Sequence, residues 1–121
     1  MYEYTATILR VVDGDTVDAL IDIGFSVHVK KRIRLYGINA PESRTRDKEE
    51  KQRGLAAKAR LKELLKGNKN TVQIKSHGVG KFGRCLGELF IDGSEMFSYE
   101  PQSVNKLLIA EGHAVKYMSD D

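Results

Sequence analysis

The sequence predicts an α+β fold, a small β-barrel carrying two helices, and three observations predict it. Apolar and polar residues alternate over three successive N-terminal segments, the mark of antiparallel strands with one face turned to a core. A 3.6-residue apolar repeat then replaces the alternation, strand patterning returns twice, and a second helical repeat follows. The third strand, finally, is long enough to bend and close a small barrel. Three strands, a helix, two strands and a helix is the order of a five-stranded Greek-key OB-fold, with one helix between strands three and four and another at the C-terminal side. A single domain over residues 1–121 is expected.

The first strand is the β-rich run 5–12, and Asp13-Gly14 is the turn signal after it. The second, 16–23, sets Val17, Ala19, Ile21 and Ile23 against Asp18 and Asp22. After Ile23-Gly24 the third, 25–35, sets Phe25, Val27, Val29, Ile33 and Leu35 against Ser26, His28, Lys30, Arg32 and Arg34. Residues 43–52 are charged and aperiodic, so they read as a loop running into a helix. That helix, about 51–66, presents Ala57, Leu61, Leu64 and Leu65 at core spacing, with Lys66 near its negative dipole end and Gly67 placed to stop it. Strands 71–76 and 85–91 follow, joined by a glycine-containing loop that holds Lys81 and Arg84. Pro101 and Ser103 open the second helix, whose apolar face is Val104, Leu107 and Leu108 and whose stop is Gly112.

Composition narrows the function classes. Hydrophobic residues make up 40% and charged residues 31%, the balance of a soluble globular chain with one modest core. Twenty Lys and Arg against 17 Asp and Glu give a net charge of +3, which permits a polyanionic partner without demanding one. One cysteine, Cys85, excludes an internal disulfide. The N-terminus MYEYTATILR has no apolar signal-peptide region, so a cytoplasmic or phage-encoded intracellular protein is expected. No run approaches transmembrane length, so no membrane partner is expected, and a monomer is the expected state.

Four charged residues fall at turns and strand ends where chemistry is often placed. Singly, each has an ordinary reading: Asp15 supports a turn, Arg34 and Glu42 are solvated, and Arg84 decorates a glycine loop. Together their segments are specific. "VVDGDTV", "RLYGINAPE" and "KFGRCLGELF", in that order, with a helix between the last two and "VNKLLIAEGHAVKY" after them, resemble the staphylococcal nuclease-like (thermonuclease) family. The resemblance spans roughly residues 5–118. It implies an OB-fold, calcium-dependent phosphodiesterase that cuts DNA and RNA at the 5′ P–O bond and leaves 3′-phosphate ends.

The same resemblance implies roles. Asp15 would be a carboxylate ligand of calcium, Asn39 would stand where a second aspartate is usual, and Ala40 would offer its carbonyl. Glu42 would be the general base, and Arg34 and Arg84 would hold the scissile phosphate. Lys81 would bind a terminal phosphate, and Phe82 would stack beside it without the hydroxyl of the usual tyrosine. The substrate implied is single-stranded DNA or RNA. Asn39 keeps an oxygen but removes a charge, and charge count governs calcium affinity, so weakened metal binding is expected. The other class of reading is an OB-fold module that binds single strands or a protein without cutting. Glu42 separates them, because a carboxylate aimed at a phosphate serves catalysis and hinders simple binding. Two basic segments, Lys30-Lys31-Arg32 and 44–53, could extend a nucleic-acid track or be solvated faces. The resemblance stops near Tyr117, before a further helix familiar in this family, so either a compact variant or a shortened chain is expected.

Overall fold

Alternating Ala6 and Ile8, both buried, set the inner face of the first strand, β1 (Glu3–Asp13), in a computed structural model that describes residues 2–80, 84–92 and 100–117. It is followed by β2 (Thr16–Asp22), β3 (His28–Leu35), a two-residue β4 (Ile38–Asn39), α1 (Lys48–Gly67), β5 (Thr71–Val79) and β6 (Cys85–Ile91). A two-residue β7 (Gln102–Ser103), α2 (Val104–Ala110) and a two-residue β8 (Val115–Lys116) complete the order. The sheet runs β3-β2-β1-β5-β6, and a parallel pairing of Ile33, Arg34 and Leu35 with Cys85, Leu86 and Gly87 closes it. That is the closed five-stranded OB barrel expected, with α1 between its third and fourth strands.

Its bend comes from a different strand than expected. Phe25 and Ser26 take left-handed backbone angles (φ 53° and 61°), so they form the tip of the β2–β3 hairpin, and β3 begins only at His28. Phe25, expected on the core face, is fully exposed. The long strand is β1, with 11 residues, and its pairing with β2 shifts register twice, between Ile8 and Arg10 and again between Val11 and Asp13. Extra residues on one strand force local twist and curvature, so the bulged β1 turns the barrel corner.

Each helix covers part of the barrel. Asp47 caps α1, its Oδ1 accepting from the Glu49 and Glu50 N–H groups (3.0 and 3.2 Å), which starts the helix three residues before the expected position. Ala57, Leu61 and Leu65 are fully buried beneath it, as their spacing predicts. Its end differs: Gly67 remains helical, and Lys69 and Asn70 (φ 57° and 56°) make the left-handed reversal. Two hydrogen bonds fix that turn, from the Asn70 N–H to the Leu65 carbonyl (2.8 Å) and from the Asn68 amide to the Thr71 carbonyl (2.5 Å). Ser103 caps α2, and Val104 and Leu108 are fully buried.

One buried amide ties α2 to the barrel closure. Asn105 accepts from the Leu89 N–H (3.1 Å) and donates to the Tyr36 and Gly87 carbonyls (2.9 and 3.2 Å). Asn105→Ala takes this acceptor from the Leu89 N–H and this donor from the Tyr36 carbonyl, while the Gly87 carbonyl keeps the Tyr36 N–H, and the expected loss is about 3 kcal/mol of stability, read from the urea midpoint. A change under about 0.5 kcal/mol would show that water replaces the amide.

Candidate functional site

Register sets the first pair of the site. Thr16 stands opposite Arg34 in the β2–β3 ladder, and the Asp15 carbonyl accepts the Leu35 N–H (2.8 Å), so Arg34 must lie beside Asp15. Arg34 Nη1 is 2.8 Å from Asp15 Oδ2, with each side chain only 11% exposed. Asp15 Oδ2 also accepts the Ala40 N–H (3.0 Å), and Oδ1 accepts the Thr16 hydroxyl (2.9 Å). A carboxylate this buried persists only when paired and hydrogen-bonded, and this one is both. Arg34 Nη2 donates to Asn39 Oδ1 (3.2 Å) and the Ile38 carbonyl (3.3 Å), and its guanidinium lies 5.7 Å from the Tyr117 ring centre. The arginine is thereby fixed from several sides.

Glu42 reaches the same place on a loop held at its base. The Ser43 hydroxyl donates to the Asp13 carboxylate, and Ser43 is buried. On the other side the loop backbone touches α1 at Gly54: a Cβ there would lie 2.3 Å from the Glu42 carbonyl oxygen and 2.7 Å from the Ser43 nitrogen. Gly14 plays a similar part beneath, where a Cβ would lie 2.7 Å from that of Ala57 and 3.0 Å from that of Ala40. The helix therefore presses directly on the two turns that carry Asp15 and Glu42. Their close approach depends on these missing methyl groups.

Six of the eight sequence-predicted site residues, Asp15, Arg34, Asn39, Ala40, Glu42 and Arg84, line one cavity of about 220 Å³. They come from the β1–β2 turn, β3, the β4 region and the segment before β6, up to 69 positions apart in the chain. Glu42 and Arg84 are solvent-exposed, while Asp15 and Ala40 are buried. Lys81 and Phe82, the other two, lie outside the described residues.

Sequence reading missed four residues of this neighbourhood. Asp13 reads as a turn residue but anchors Ser43, and Tyr117 faces Arg34 through the β4–β8 pairing of Asn39 with Val115. Gly54 does carry a signal in the sequence: a glycine inside a 20-residue helix costs about 1 kcal/mol against alanine and usually marks a close approach.

The donors in the cavity are oxygens throughout: the Asp13, Asp15 and Glu42 carboxylates, the Asn39 amide and backbone carbonyls. Such a set fits a hard, oxygen-seeking cation and not a soft one. It is low in charge, however. Among the described residues no three His, Cys, Asp or Glu side chains cluster closely enough to hold an ion. Asp15 also shares its Oδ2 with Arg34, so an ion here would lean on neutral oxygens and water.

Among the described residues no helix is long and apolar enough to cross a membrane. The model of the staphylococcal nuclease homologue family matches residues 32–121. The chain is 31% identical over 117 residues to protein ParB of Escherichia coli, covering 95% of this chain and 58% of that protein. It is 32% identical over 121 residues to endonuclease YhcR of Bacillus subtilis (strain 168), covering 95% of this chain and 9% of the relative. This chain thus spans a little over half of one relative and a small part of the other. Since the family match spans well over half of the chain and takes in the end of β3, the barrel strands β5 and β6, both helices and the Glu42 turn, the chain belongs to the staphylococcal nuclease homologue family.

Proposed function

We propose that this chain is a calcium-dependent endonuclease that hydrolyses DNA or RNA at the 5′ P–O bond and leaves 3′-phosphate ends. The observation that supports it most is convergence: Asp15, Arg34, Glu42 and Arg84, from four separate segments, line one cavity. A structural domain has no reason to aim two arginines and a loop glutamate at the same space. That one relative is by name an endonuclease points the same way.

On this reading Asp15, the Asn39 amide oxygen and the Ala40 carbonyl hold calcium. Bound there, calcium supplies positive charge to the phosphate and lowers the pKa of a water. Arg34, locked by Asp15 and Asn39, needs no reorganisation to meet a phosphate oxygen, and Arg84 approaches the same cavity from the β6 side. Their planar donors match the phosphate oxygens and stabilise the extra charge of the five-coordinate transition state. Glu42 accepts the proton of the attacking water. A bond forms from that oxygen to phosphorus, the bond to the 5′ oxygen breaks, and the leaving oxygen takes up a proton. Lys81 and Phe82 hold the neighbouring nucleotide, by charge and by stacking. A single domain acting as a monomer suffices for these roles.

A second reading has its own observation. Asp15 is already satisfied by Arg34, Thr16 and the Ala40 N–H, so the pair is stable with no ion at all. A metal-impaired OB module would keep that lock and bind nucleic acid or a protein uncut. A calcium titration with single-stranded DNA and a chelator control separates the two. The nuclease cuts only with calcium, at a high requirement, and Asn39→Asp lowers that requirement roughly tenfold by restoring a ligand charge. Binding without cutting at every calcium level establishes the module instead.

A further inference from the structure

We propose that a second groove, opening off the candidate catalytic cavity, carries the phosphate backbone of single-stranded nucleic acid on one side of the bond to be cut. The proposal deepens the nuclease reading and rests on it for the position of that bond. Lys31, Arg32, Arg34, Arg44 and Arg84 line a groove of about 460 Å³ with a single carboxylate, Asp13. The Asp13 carboxylate already accepts the Ser43 hydroxyl. Asp13, Thr16, Arg34 and Arg84 line both the groove and the catalytic cavity, so a strand leaving one enters the other.

The fold selects these cations from segments that look unremarkable in sequence. Lys31 and Arg32 come from a run of three basic residues on β3, and Arg44 from a stretch of mixed charge. Asp18 stands opposite Arg32 in the β2–β3 ladder and holds it through two bonds, Nε to Oδ1 (2.8 Å) and Nη2 to Oδ2 (3.2 Å). Two of five guanidinium donors are used there, which leaves others for a phosphate. Arg44 follows directly on Ser43, whose bond to Asp13 fixes the loop over the groove. The pair joins an exposed guanidinium to a buried carboxylate, so Asp18 holds the Arg32 head in place at the groove wall. Charge decides between the readings: the chain as a whole carries 20 basic against 17 acidic residues, whereas five basic residues and one acidic residue line this groove, and even with Arg32 paired to Asp18 and Arg34 to Asp15 the balance there stays positive. A mononucleotide occupies the catalytic cavity alone, and a longer strand occupies both, so the preference for a strand originates in the groove.

A rival surface exists. Arg10, Lys58, Lys62 and Lys66 line a cavity of about 400 Å³ between β1 and α1, and it shares no lining residue with the catalytic cavity. It serves as the control. Fluorescence anisotropy reads binding of a labelled single-stranded DNA of about a dozen nucleotides, with chelator present, between about 50 and 200 mM salt. Wild type is compared with Lys31→Ala/Arg44→Ala, with Lys58→Ala/Lys62→Ala, which removes the same charge elsewhere, and with Lys31→Arg/Arg44→Lys. The groove requires that Lys31→Ala/Arg44→Ala weaken binding on the order of tenfold and lower the salt slope by about 0.7 for each phosphate left without its cation. It also requires wild-type behaviour from the charge-conserving pair and from the α1 pair. An unchanged slope in Lys31→Ala/Arg44→Ala, an equal loss in the α1 pair, or no binding by wild type overturns the proposal. Lys31 and Arg44 are exposed, and rescue by the charge-conserving pair excludes misfolding as the cause. Cleavage by wild type is scored separately with calcium: selective loss of strand binding in a protein that cuts nothing would sink the nuclease reading and leave the groove standing.

Discussion

On the proposed mechanism Glu42→Gln is expected to slow cleavage severely while leaving the protein as stable as wild type. The side chain is exposed at the cavity edge, and substitutions at such positions usually stay within about 0.5 kcal/mol. Gln keeps the length and the hydrogen-bonding oxygen but cannot take a proton from water at neutral pH. General-base catalysis is typically worth about 10²- to 10⁴-fold, and that is the expected fall in kcat on single-stranded DNA at saturating calcium. Arg34 is the less informative target although the proposed mechanism also sets it against the phosphate. Replacing it strips the partner from a buried carboxylate, and breaking such a pair costs about 3–5 kcal/mol, so activity and stability would fall together. Glu42 separates chemistry from folding. Equal kcat in Glu42→Gln and wild type would remove the glutamate from the mechanism.

Gly54→Ala reverses the sign that helix propensity gives. In an open helix the change gains about 1 kcal/mol, because alanine restricts the unfolded chain and glycine does not. At Gly54 the new methyl would lie 2.3 to 2.7 Å from three backbone atoms of Glu42 and Ser43. Backbone cannot swing aside as a flexible side chain can, so α1 or the loop must move. Overpacking of this kind costs about 1–3 kcal/mol, and a net loss of stability is expected in a urea melt. Activity falls further than stability does, because the atoms displaced carry Glu42. A misplacement of about 1 Å costs on the order of 10²-fold in rate. Gly67→Ala is the matched comparison: it is helical, nothing lies within 4 Å of its Cβ position, and it should gain a few tenths of a kcal/mol with unchanged activity. If Gly54→Ala is instead more stable and fully active, the loop is free of the helix and Glu42 is positioned some other way.

Much of the architecture was legible because it follows from local periodicity. The alternation of Val17, Ala19 and Ile21 and the spacing of Ala57, Leu61 and Leu65 require no knowledge of partners, and all six are buried as their pattern demands. Ser103 as a cap and Gly112 (φ 80°) as a stop were readable for the same reason. What failed was decided by backbone geometry at hairpin ends. Phe25 continues an apolar alternation, yet the hairpin needs left-handed angles there, and nothing in a side-chain pattern reports the angle of a residue that is not glycine. Lys69 and Asn70 took the reversal from Gly67 because their N–H groups donate to the Lys66 and Leu65 carbonyls, and the Asn68 amide braces the turn against the Thr71 carbonyl. The two-residue strands β4, β7 and β8 are too short to carry a period, and they exist only because a partner strand passes alongside.

The sequence by itself determined which chemical groups this protein possesses: two arginines, a turn carboxylate, a loop glutamate and an asparagine where charge is usual. Motif resemblance could name them because they sit at fixed offsets from turns. Only the tertiary structure decided how they are engaged. Strand register placed Arg34 against Asp15, and closure by β6 brought Arg84 to them. Gly54 seated the Glu42 loop on α1 and Gly14 the Asp15 turn, and the same closure gathered Lys31, Arg32 and Arg44 around one groove. The physical reason is range. Periodicity and capping act over a few residues, whereas a charge pair or a close approach depends on a distance between segments, and that distance is fixed only when the barrel closes.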